Sequence, residues 1–166
     1  MTSLTISQGL RQASKLKGQL AELQTRASAA VTYKASAKPA FDFGATVEKL
    51  ESVRAELTQL ETRIALANAK ATVTFDGAEM PLTQAVRTLQ ELKGTIAWIK
   101  TVPSRAQAET TEEEWTYDDD MKRVKTVVTW KCDLPEAARA ERAEALQAKF
   151  DALNDLVEQV NHVTTI

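Results

Sequence analysis

Residues 112–131 read EEEWTYDDDMKRVKTVVTWK, and their contrast with the rest of the chain decides the fold class. The flanking sequence is dominated by Ala, Leu, Gln, Glu and Lys, the composition of long helices. This stretch alternates instead, holds Trp115 and Trp130 of the three tryptophans, and runs from an acidic half into a basic half. In a strand, alternate residues share a face. From Lys122 onward, Val124, Thr126, Val128, Trp130 and Cys132 fall on one face, which is expected to pack on helices. Arg123, Lys125, Val127, Thr129 and Lys131 fall on the other. In the preceding run Trp115 and Tyr117 share a face, and Glu112, Glu114 and Thr116 take the opposite one. With Asp119 and Asp120 in a turn between them, strands at about 113–118 and 122–131 form a hairpin. Glu112 and Glu114 are expected across from Lys131, Lys125 or Arg123.

Working outward, helical periodicity fills most of the chain. Ile6, Leu10, Leu16, Leu20, Leu23 and Ala27 place a helix over about 4–30. Pro39 and small polar residues break it, and Asp42 is a suitable N-cap for a second helix over about 43–69. Val47, Leu50, Val53, Leu57, Leu60 and Ile64 form its stripe, close to a heptad seam. ATVTFDGAEMPL then gives a β segment at about 71–75 that ends at the turn pair Asp76-Gly77. A third helix over about 82–100 carries Val86, Leu89, Leu92, Ile96 and Ile99. After the hairpin, Asp133 and Glu136 have the spacing of a capping box. A fourth helix over about 135–160 turns Ala138, Leu146, Phe150, Leu153, Val157 and Val160 inward. The expected fold class is mainly α, a long-helix bundle with a short β-hairpin insertion, in one domain spanning 1–166. Helices of this length with seam-like stripes leave apolar surface on a monomer, so a homo-oligomer is expected.

Composition excludes several functions. The net charge of −2 gives no global basic field for a nucleic acid polymer. The longest apolar runs fall far short of the roughly 20 residues needed to span a bilayer. The N-terminus MTSLTISQGLRQ lacks a signal-peptide pattern, so neither membrane nor export is expected and the location is read as cytoplasmic. One cysteine, Cys132, excludes an internal disulfide and a cysteine-based zinc site. It is read as a small buried hydrophobe.

No nucleophile elbow, Walker loop or dinucleotide glycine string is present, and the single histidine, His162, stands near the C-terminus. Asp118–Asp120 lack the spacing of a calcium loop. No cofactor, metal or catalytic residue is expected. The chemistry that remains lies on the hairpin's basic face. Arg123, Lys125 and Lys131 can hold phosphate oxygens, and Trp115, Tyr117 and Trp98 can stack on a base.

RIALANAKATVTFDGAEMPLTQAV, the strand KRVKTVVTWK, the tail EQVNHVTTI and the connector KPAFDF together resemble the septicolysin family of small bacterial and phage proteins. His162 stands where that pattern has an aromatic residue. The resemblance implies a long helical pair, a short DG hairpin and a basic strand before the last helix. The family's name implies a pore-forming toxin. The leading expectation is a non-enzymatic oligomeric binding protein that sequesters a small nucleotide-like signal, in the manner of a phage anti-defence sponge. The alternative is a structural or protein-interaction helical module, and a toxin ranks behind both.

Overall fold

A computed structural model describes residues 3–166. In chain order it holds α1 (Ile6–Ala30), α2 (Phe43–Lys70), β1 (Thr72–Phe75), β2 (Ala78–Pro81), α3 (Leu82–Thr101), β3 (Glu109–Tyr117), β4 (Arg123–Lys131) and α4 (Glu136–Val163). The strands form two separate antiparallel pairs, β1 with β2 and β3 with β4. The fold is mixed α/β, with four helices and two hairpins. The β segment expected at 71–75 has a partner, because Asp76-Gly77 turns the chain back on itself. The chain divides into two compact units, one running to Arg87 and joined by Leu153–Ile166, the other covering Thr88–Ala152.

In the first unit, α1 opens with a capping box. The Thr5 hydroxyl accepts from the Gln8 N–H at 3.3 Å, and the Gln8 side chain accepts from the Thr5 N–H at 2.9 Å. Asp42 caps α2 as expected, its carboxylate accepting from the Ala45 N–H at 2.7 Å. The two helices run antiparallel, with Gly9 against Ile64 at one end and Leu23 beside Thr46 and Lys49 at the other. Leu16, Leu23, Leu50, Leu57, Leu60 and Ile64 are buried. Leu10, expected on the inner stripe, is 48% exposed, and Gly9 and Ala13 take the inner positions. Small residues there let another segment come close. A Cβ on Gly9 would lie 2.5 Å from the Ile166 side chain.

The chain terminus closes this unit. The Ile6 N–H donates to the Thr164 carbonyl at 2.9 Å, and the Ile166 N–H donates to the Leu4 carbonyl at 2.8 Å. Arg63 donates to the Ile166 carbonyl at 2.7 Å. At the first hairpin, Asp76 (φ 49°) and Gly77 (φ 78°) both take positive φ, the pattern of a type I′ turn. Nothing lies within 4 Å of a Cβ built on Gly77, so a side chain there meets backbone strain alone. Gly77→Ala is therefore expected to cost about 1 kcal/mol in urea denaturation. An unchanged midpoint would show that the turn tolerates a side chain.

In the second unit Leu89, Ile96, Ile99 and Ala143 are buried. Ala138, expected to face inward, is exposed, and Ala143 takes that role one turn and a half later. Asp133 does not cap α4, which begins at Glu136 directly after Pro135. The connecting loop supplies the acceptor instead, with the Glu136 N–H donating to the Arg105 carbonyl at 2.9 Å. Arg139 donates to the Val102 carbonyl at 2.8 Å, and the Ser104 hydroxyl donates to the Leu134 carbonyl. These three bonds tie the segment before the second hairpin to the segment after it.

Candidate functional site

The register of the second hairpin runs without a break from Glu109 opposite Lys131 to Tyr117 opposite Arg123. β3 starts earlier than the sequence suggested, because Thr110 and Thr111 find partners in Trp130 and Thr129. The Asp118 carboxylate holds the turn, accepting from the N–H of Asp120 at 3.0 Å and of Lys122 at 2.8 Å. Met121 sits there at φ 59°. Asp118 is thus committed to turn geometry.

Residues opposite each other across the ladder share a face. One face therefore carries Tyr117 with Arg123, Trp115 with Lys125, Glu113 with Val127, and Glu109 with Lys131. The two aromatic residues of β3 and the three cations of β4 meet on it. The Arg123 guanidinium lies 4.7 Å from the Trp115 ring centre, and Lys125 Nζ lies 5.5 Å from the same ring. Lys125 also pairs with Glu113 at 2.7 Å. Among the described residues Arg123 has no acidic partner, so its N–H groups remain available around a plane held by the indole. Trp115 is 54% exposed and Tyr117 65% exposed. Lys131 stands at the other end of the face, opposite Glu109. Trp98, on α3 and exposed, is not part of this cluster.

The acidic residues are placed differently from expectation. The strand starts at Glu109, and with this register Glu113 shares the basic face. Glu112 and Glu114 lie on the opposite face, across from Val128 and Thr126.

That opposite face is organised by Arg105, which the sequence did not single out. Its guanidinium donates to Glu112 at 2.5 Å and to Thr110 at 3.2 Å, and lies 4.6 Å from the Trp130 ring centre. Val124 and Val128 are only half-buried, and Trp130 stays 40% exposed under its arginine lid. The apolar face expected to pack on helices is thus covered in part by one loop side chain. Arg105 sits in a polar loop far along the chain from Trp130, and no spacing rule points to it.

Cys132 is half-buried at the base of β4 rather than fully enclosed. The backbone N–H of Arg105, with help from Leu134 and Ser104, lowers its thiol pKa against the opposing effects of burial and Asp133. A folded pKa below the unfolded value adds stability that is present above the unfolded pKa and fades as pH falls through the folded one. Alkylation of Cys132 is expected to reach half its maximal rate at a lower pH in the native protein than in the urea-unfolded chain. An equal or higher midpoint in the native protein would contradict this hydrogen bonding.

Larger hollows lie among the helices. One of about 400 Å³ is lined by Lys100, Arg139, Ala140, Ala143 and Glu144. Another of about 440 Å³ between α1 and α2 includes Asn68, whose buried Oδ1 has no hydrogen-bond partner. Among the described residues, no three His, Cys, Asp or Glu side chains are grouped to hold a metal ion. Among the same residues, no helix is long and apolar enough to cross a membrane.

A family model described as a family of unknown function, DUF6847, matches residues 13–165, and the chain belongs to that family. No curated protein matches the chain. A solved structure described as a functionally unknown conserved protein from Corynebacterium diphtheriae is similar, with a TM-score of 0.76. The match covers 99% of each chain at 14% identity, a likeness of fold alone.

Proposed function

We propose that this member of the DUF6847 family is a non-enzymatic, oligomeric binding protein. Its ligand class is a small, flat, anionic molecule of nucleotide type, held on the hairpin face of Trp115, Tyr117, Arg123 and Lys125. The observation that carries the reading is Arg123. Its guanidinium is stacked on Trp115 at 4.7 Å and has no carboxylate partner among the described residues. Such a group offers hydrogen-bond donors in a fixed plane to phosphate oxygens, with Tyr117 beside it to stack on a base. The face is exposed, so a second surface must complete a pocket that removes most of a ligand from water. A neighbouring subunit supplies it in this reading. The protein is taken as cytoplasmic, where its single thiol stays reduced.

Titrating the protein with mono-, di- and cyclic nucleotides, followed by tryptophan fluorescence, tests the reading. Saturable quenching that disappears in Trp115→Phe is the expected result. No response to any nucleotide at millimolar concentration would contradict it. The second reading is a protein-interaction module with no small ligand. The Lys125–Glu113 pair at 2.7 Å favours it, because that cation already has an intramolecular partner.

A further inference from the structure

The hairpin's two strands are segregated by charge. β3 carries Glu109, Glu112, Glu113 and Glu114 with no cation, and β4 carries Arg123, Lys125 and Lys131 with no acid. Among the described residues, only Glu112, Glu113 and Lys125 of these two strands have ion-pair partners. Glu109 and Glu114 on one strand, and Arg123 and Lys131 on the other, have none. Neither strand contains a fully buried residue, and Val127 is 66% exposed. Each strand also has a free edge, because the sheet holds β3 and β4 alone.

A two-stranded hairpin of this kind is marginal by itself in water. Its free edges are nine residues long, without proline and without a break in register. Charged side chains commonly blunt such edges. Here each edge bears a single sign, so it repels its own kind and suits the other. Pairing β3 with β3 of a second copy opposes acid with acid, and pairing β4 with β4 opposes cation with cation. Pairing β3 of one copy with β4 of the next matches both charge sets.

We propose that copies of this chain assemble through their hairpins, the β3 edge of one against the β4 edge of the next, in a closed ring. Contact between two unlike surfaces is heterologous, and such contacts end either in a ring or in an open filament. A ring leaves no edge exposed. It needs at least about three copies, since two hairpins give too few strands to close. The proposal shares the oligomer of the functional reading but not its ligand. Nucleotide titration therefore judges that reading separately.

The test is solution mass by light scattering on the full chain and its variants. The parent is expected at one fixed multiple of 18.3 kDa across a hundredfold range of concentration. The pair Glu109→Lys with Glu114→Lys, and the pair Arg123→Glu with Lys131→Glu, should each fall to single-chain mass with unchanged helical circular dichroism. All four changes together restore complementarity and should restore the multiple. Should a reversed pair lose its helical signal, Arg123→Gln with Lys131→Gln takes its place and should raise the assembly midpoint at least tenfold. A monomeric parent, growth with concentration, variants that keep the parent mass, or a folded fourfold variant that stays monomeric would each overturn the proposal.

Discussion

Leu60→Glu is expected to unfold the α1–α2 pair. Leu60 is 4% exposed, on the stripe shared by Leu57 and Ile64. A carboxylate there loses its water and gains no partner, and an unpaired buried charge typically costs about 3–5 kcal/mol. Small domains are stable by only about 5–15 kcal/mol, so most of the first unit's stability would go. Leu57→Glu should behave alike, since that residue is 8% exposed. The control is Leu66→Glu on the same helix, where 56% exposure predicts a change within about 0.5 kcal/mol. Urea denaturation followed by circular dichroism measures all three. Equal midpoints for Leu60→Glu and Leu66→Glu would mean that this helix face is not the core.

Arg105→Ala is expected to loosen the second hairpin while leaving the helices in place. The substitution removes the ion pair to Glu112, the bond to Thr110 and the stack on Trp130. Glu112 and Trp130 are partly in water, which discounts the usual cost of a lost charged hydrogen bond to about 1–2 kcal/mol. Spread over the whole fold that is modest. In a hairpin with no buried residue it is most of the local stability. Amide exchange in β3 and β4 should quicken about tenfold, the factor for 1.4 kcal/mol, while α1 and α2 exchange as before. Arg105→Lys keeps the charge but loses the planar stack, and should fall between the two. Unchanged exchange would show that the Arg105 side chain does not anchor the hairpin.

Periodicity made the helices legible, because a buried stripe at every third or fourth residue leaves a direct mark. Leu50, Leu57, Leu60 and Ile64 are read correctly for that reason. Leu10 is misread because apolar character alone does not say which of two adjacent stripes faces a partner. Gly9 takes that position because the Ile166 side chain fits against it, a long-range demand invisible in a local window. The misplacement of Glu112 and Glu114 has a different cause. Strand faces follow from alternation, but pairing across the turn depends on its length. The Asp118-held turn spans five residues and places Glu113, not its neighbours, beside Lys125. Arg105 was illegible altogether, since its role comes from the loop bonds that bring residues 102–105 back to the start of α4. Alternation paired Trp115 with Tyr117 and Arg123 with Lys125, but that the two pairs meet on one face comes from the register across the turn.

That face is the centre of the functional account, and Arg123 is its most exposed commitment. Thermal unfolding of the parent and of Arg123→Ala, each with and without nucleotide, tests it most directly. A ligand at 100 times its dissociation constant stabilises a folded protein by about 2.7 kcal/mol. The parent should show a shift of that size for at least one nucleotide, and Arg123→Ala should show none while keeping the parent's helical signal. A full shift in Arg123→Ala, or none in the parent, would contradict the account.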